Sequence, residues 1–75
     1  MNENELQDAI KSLLEELAFM DDEDRADAGL DSASALADVQ RVRTFEEEGV
    51  LTNNAGLVIT MADSTEWQLT IVRSR

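Results

Sequence analysis

The chain has 75 residues, enough for one hydrophobic core and one domain. It contains no cysteine and no histidine, which excludes a disulfide framework and the ordinary zinc ligands and leaves the core to hold the fold unaided. Of the net charge of −11, residues 1–38 carry −10, twelve carboxylates against Lys11 and Arg25, so this half repels nucleic acid and anionic membranes and attracts basic surfaces.

Leu6, Ala9, Ile10, Leu13, Leu14, Leu17 and Met20 recur at helical spacing and predict an amphipathic helix from about Glu3 to Phe19. Asn2 with Glu5, or Asn4 with Gln7, has the spacing of an N-cap and its reciprocal partner, and Glu3, Glu5 and Asp8 complement the positive end of the helix dipole. Asp8, Ser12, Glu15 and Phe19 fall on the opposite face, where Lys11 is within reach of Asp8 and Glu15. Phe19 is out of phase with the apolar stripe. Either the helix has ended there, or an exposed aromatic stands beside the acidic row and marks a contact site.

The run Asp21-Asp22-Glu23-Asp24 reads as the start of a second, short helix capped by Asp21 or Asp22, with Gly29 as the left-handed residue past its end. A similar signal follows at once. Asp31 caps, residues 32–38 continue, and Leu30, Ala33, Leu36 or Ala37, and Val39 are expected to face inward.

From about Arg41 the period changes to two. Leu57, Ile59 and Met61 alternate with polar or β-branched neighbours, as do Trp67, Leu69 and Ile71, which predicts two adjacent strands. If one face is buried, Met61 and Trp67 share it, and an odd-numbered loop is required. A three-residue Asp63-Ser64-Thr65 turn, or a five-residue loop, gives the facing pairs Met61–Trp67, Ile59–Leu69 and Leu57–Ile71 and places Trp67 in the core. Residues 41–46 form a weaker strand, in which Phe45 opposes Leu57, Val42 opposes Thr60 on the outer face, and Arg41 and Arg43 sit at the rim of the apolar face, leaning towards the helices. Residues 46–56 read as a long connection, with Val50-Leu51-Thr52 open as a short extra strand.

These elements predict an α+β domain spanning 1–75, a helical half (1–39) followed by a β-meander (40–75). A long N-terminal amphipathic helix and one or two short acidic helices pack on one face of a three-stranded antiparallel sheet, in the order α-α-β-β-β.

The chemistry is narrow. Without histidine or cysteine, and with Lys11 on an exposed face, no activated nucleophile can be assembled, and carboxylates are too abundant to single out an acid–base pair. A calcium loop started at Asp22 would have Ala26 at a ligand position, Asp27 where glycine belongs and Ala33 in place of the bidentate glutamate. Gly29, Gly49 and Gly56 are too scattered for a phosphate loop. No enzymatic activity, metal or cofactor is expected. Trp67 without a basic stripe argues against direct nucleic-acid contact, and the lack of a long apolar run or a signal-like N-terminus against a membrane, so a cytoplasmic location is expected.

The expectation is therefore a non-catalytic acidic module that binds a basic protein surface, such as the nucleic-acid site of a DNA- or RNA-handling protein, with Asp8, Glu15, Phe19, Asp22, Glu23 and Asp24 as partner-binding residues. Small phage-type inhibitors that imitate nucleic acid present this kind of charge distribution, an analogy of charge and size. The alternative is a small assembly protein acting as a homo-oligomer, a homodimer at its simplest, through an exposed sheet edge or the outer face bearing Val42, Val58 and Val72. Its acidity then serves solubility or salt adaptation, which five arginines to one lysine would suit.

Overall fold

A computed structural model describes residues 1–29 and 36–75, and the second capping signal, at 30–35, lies outside the described residues. Among the described residues the elements are α1 (Glu3–Phe19), α2 (Asp22–Asp27), β1 (Val39–Thr44), α3 (Phe45–Glu48), β2 (Ala55–Met61) and β3 (Glu66–Ile71). The strands form one antiparallel sheet in the order β1-β2-β3. The predicted α+β architecture is thus present, with one addition: a short helix between β1 and β2.

Local chemistry sets each boundary. The Glu5 N–H donates to Asn2 Oδ1 at 2.8 Å at the start of α1, and the Asp24 N–H donates to Asp21 Oδ1 at 2.8 Å at the start of α2. Gly29, at φ +75°, follows α2 in the left-handed conformation. Leu36, in the single 3₁₀ turn 36–38, packs against the core.

Val39, Val42 and Leu57 form the heart of the core, and Ile10, Leu14 and Ala18 of α1 pack onto them with Ile59 and Met61. Valines three apart would ordinarily face opposite sides of a strand. A bulge between Val39 and Arg41 absorbs the extra residue, so Val39 opposes Met61 and Val42 opposes Ile59, both inward. This corrects the sequence reading, which paired Val42 with Thr60 on the outer face. Arg41 and Arg43 instead oppose Thr60 and Val58 and point outward, away from α1.

Phe45 corrects the reading in the same way, because the strand ends at Thr44. The Thr44 hydroxyl accepts from the Glu47 N–H at 3.1 Å while Glu47 Oε1 accepts from the Thr44 N–H at 2.9 Å, a complete capping box, and Gly49 closes α3 at φ +73°. The backbone hydrogen bond from Thr44, helped by its hydroxyl, Lys11 and Arg43, holds the Glu47 carboxyl below its ordinary value. α3 turns Phe45 onto the outer face over Gly56. A Cβ built at Gly56 would stand 2.3 Å from the Phe45 ring and 2.6 Å from the Leu69 carbonyl, so no larger residue fits. Val58 is buried on the same face, and Glu48 meets Arg41 and Arg43, each at 3.5 Å.

The β2–β3 hairpin keeps the predicted parity but not the register. Leu57 opposes Leu69, Ile59 opposes Trp67 and Ala55 opposes Ile71, two residues from the expected pairing. The Met61 N–H donates to the Thr65 carbonyl at 2.9 Å, which leaves Ala62-Asp63-Ser64 as the loop, with Ser64 in the left-handed conformation at φ 72°. Asp63 Oδ1 accepts from both the Thr65 hydroxyl at 2.6 Å and the Thr65 N–H at 2.9 Å, and these bonds lower its pKa.

α1 crosses the sheet on a diagonal. Near its start Gln7 Oε1 accepts from the buried Gly56 N–H at 2.9 Å, whereas towards its end Ala18 lies beside Val39 and Val42. The helix therefore packs over β1 and β2. Trp67, expected in the core, is 62% exposed on the side of β3 that α1 leaves bare. Residues 50–52 are not a strand, and Leu51 is fully exposed.

Candidate functional site at the corner of the first two helices

α1 ends at Phe19 because the chain must turn at Met20 to begin α2, and the turn is held by a residue whose role the sequence did not reveal. Arg25 is only 3% exposed. Its Nη1 donates to the carbonyl of Leu17 at 3.0 Å and to that of Met20, and its Nη2 pairs with Asp22. A helix C-terminus has unpaired carbonyls and a partial negative charge, and a buried guanidinium answers both. The spacing signal was local: Arg25 lies in the last turn of α2, five residues past Met20.

With α2 fixed in this way, the last turn of α1 presents its outward side chains at the corner. Glu15, Glu16, Phe19, Met20 and Asp24 line a shallow hollow. Phe19 is 83% exposed, so the second alternative of the sequence reading applies, an exposed aromatic beside the acidic row. Within residues 15–27 seven carboxylates accompany the single buried cation, and the outer surface of the corner is therefore negative.

The expected partner-binding residues are divided by this geometry. Glu15, Phe19 and Asp24 come together at the hollow, although Glu15 also meets Lys11 at 3.6 Å. Lys11 in turn reaches Glu47 of α3 at 3.9 Å. Asp8 lies eleven residues before Phe19, about 16 Å along the helix, and accepts from Gln7 Nε2 at 3.1 Å. Asp22 is engaged by Arg25, and Glu23 is exposed on α2 outside the hollow. Glu16 and Met20, not singled out from sequence, belong to the hollow. Their signal was the helical spacing of i, i+3 and i+4 around Phe19.

Among the described residues no group of three or more carboxylates converges where a metal ion could be held. No described helix is long and apolar enough to cross a membrane. No protein-family model, curated protein or solved structure matches the chain.

Proposed function

We propose that the chain is a non-catalytic binding module whose α1–α2 corner engages a basic protein surface, of the kind that DNA- and RNA-handling proteins use to hold nucleic acid. The observation that carries this reading is Phe19, 83% exposed and set among Glu15, Glu16 and Asp24. A large apolar side chain in water supplies an anchor, since aromatic contacts desolvated at the centre of an interface dominate its energetics. The surrounding carboxylates supply steering and select for a basic rim. The absence of histidine and cysteine from the chain supports a role without catalysis.

The test is capture of a basic partner at rising salt, followed by measurement of its affinity for two variants. Phe19→Ser should weaken binding at all salt concentrations. Joint neutralisation of Glu15, Glu16 and Asp24 should weaken it several-fold at low salt and flatten its salt dependence. A partner whose affinity ignores both changes would refute the reading.

The version of the oligomer alternative that used Val42, Val58 and Val72 as an outer contact face is not available, because Val42 lies in the core and Val58 is buried on the face α3 covers. The exposed sheet edge is a separate matter.

A further inference from the structure

We propose that two copies of the chain join edge to edge through β3, antiparallel, so that their sheets continue as one six-stranded sheet with both α1 helices on the same side.

The apolar surface that asks for a partner is continuous. On the inner face of β3, Trp67 is 62% and Leu69 is 40% exposed, while Leu13 on the adjoining flank of α1 is 53% exposed. Leu6 stands on the same flank as Leu13, for residues seven apart differ by only about 20° around a helix. A groove lined by Leu6, Ile71 and Val72 opens at one end of this strip, and a hollow lined by Met61, Asp63 and Trp67 at the other. The phase of Leu6 and Leu13 turns them towards β3, whereas Lys11, on the opposite flank, reaches α3.

The edge itself is open. The Met61 N–H to Thr65 carbonyl bond sets the phase of the ladder, so the backbone groups of Trp67, Leu69 and Ile71 serve β2, and those of Glu66, Gln68 and Thr70 point away from the sheet. Natural edge strands are defended by bulges, prolines or charges. β1, the opposite edge, has a bulge together with Arg41 and Arg43. β3, with the sequence EWQLTI, has no bulge and no proline, and its one charge, Glu66, stands at its first position.

Charge selects the occupant. The segment from Ala62 onwards is electroneutral in a chain of net charge −11, with Asp63 and Glu66 at the start of β3 and Arg73 and Arg75 beyond its end. An antiparallel second copy reverses this order and lays arginines beside carboxylates. With Leu69 on the dyad, Trp67 faces Ile71 of the second copy, the arginines beyond that Ile71 come towards Glu66 and the Asp63 loop, and the outward backbone groups of Gln68 and Thr70 meet in a hydrogen-bonded pair. Dimensions agree. At about 4.8 Å between strands the two β2 strands lie about 14 Å apart, so the starts of the two α1 helices, which lie by β2, flank the joined β3 strands, and Leu6 of the second copy, beside its Ile71, comes next to Trp67. The corners bearing Phe19 lie on the far side, beside Val39 and Gln40, and stay free.

The experiment is sedimentation of the full chain from micromolar to millimolar concentration, with the tryptophan emission followed in parallel. Wild type should double its mass as Trp67 emission shifts to shorter wavelength. Gln68→Pro removes an N–H that serves no ladder bond within one copy, and Leu69→Lys places a charge on the dyad. Each should leave a folded monomer at every concentration, and if the proline variant fails to fold, the lysine variant decides. Phe19→Ser should dimerise as wild type does, which separates this proposal from the reading of the corner. A chain monomeric throughout, a dimer that survives both β3 changes, or a Trp67 already shielded in the monomer by some other occupant would each overturn it.

Discussion

β1 and β3 are the two edges of one sheet, yet β1 is covered by α1 on its inner face, with its arginines exposed on the outer one, and β3 is covered on neither. Val39 and Val42 are buried under α1, and α3 folds over the other side of the sheet beside Arg41 and Arg43, whereas Trp67 and Leu69 stand in water. The difference arises from the path of α1. A helix about 10 Å across cannot roof three strands, and its diagonal runs from the start of β2 towards β1. Alternation in a strand tells which residues share a face. What covers that face is decided by another element.

The sharpest way to break this contrast uses two leucines that oppose one another in the sheet. Leu57 is 0% exposed and Leu69 is 40% exposed. Leu57→Ala should cost about 3–5 kcal/mol in urea unfolding, and Leu69→Ala less than about 1 kcal/mol at concentrations where the chain is monomeric. Equal losses would mean that β3 is covered in solution. Gly56→Ala tests the other face of the covered region. Its new methyl meets the Phe45 ring and the Leu69 carbonyl, and a loss of about 2–3 kcal/mol is expected. Arg25→Met removes the cation from the end of α1, and a loss of about 2 kcal/mol with earlier amide exchange at residues 17–20 should follow.

Two smaller effects concern the turns that flank the sheet. Ser64→Gly relieves a left-handed serine and should raise stability by about 0.5–1 kcal/mol, measured by the urea midpoint. Glu47 and Asp63 have pKa values lowered from 4.5 and 3.8 by hydrogen bonds made only in the fold, so their stabilisation is complete above those ordinary values and is lost as the pH falls through the depressed ones. Wild type should therefore lose stability against a Glu47→Gln, Asp63→Asn double variant as the solution is acidified below the ordinary carboxylate range. A gap independent of pH would remove the assigned cause.

Much of this was legible in the residues. Helical phase gave α1 from Glu3 to Phe19, Asn2 and Asp21 were each one of two caps that the spacing offered, and parity put Leu57, Ile59, Trp67 and Leu69 on one face. The two-residue error in register came from the loop, because Ser64 adopts a conformation in which glycine would have been expected and so gave no composition cue. Val42 and Phe45 were misplaced for related reasons. A bulge has no signature in alternation, and the Thr44 to Glu47 capping box lay inside what read as a continuing strand. At the corner, Glu15, Phe19 and Asp24 could be named from sequence, but Arg25 could not be seen as the fastening, since a cation among acids looks like simple neutralisation.

The hydrogen bond from Gly56 to Gln7 joins residues 49 positions apart, and it bears on how the chain is made. At about 5–20 residues per second, a ribosome delivers Gly56 some 2–10 s after Gln7, whereas a helix forms within microseconds. During that interval α1 has neither its sheet nor its partner for Gln7, and its stripe of leucines faces water or a chaperone. A chain halted after residue 54 should accordingly show α1 amides that exchange freely, with protection arriving only when β2 emerges. The dense carboxylates on the other side of α1 would keep this waiting segment from aggregating.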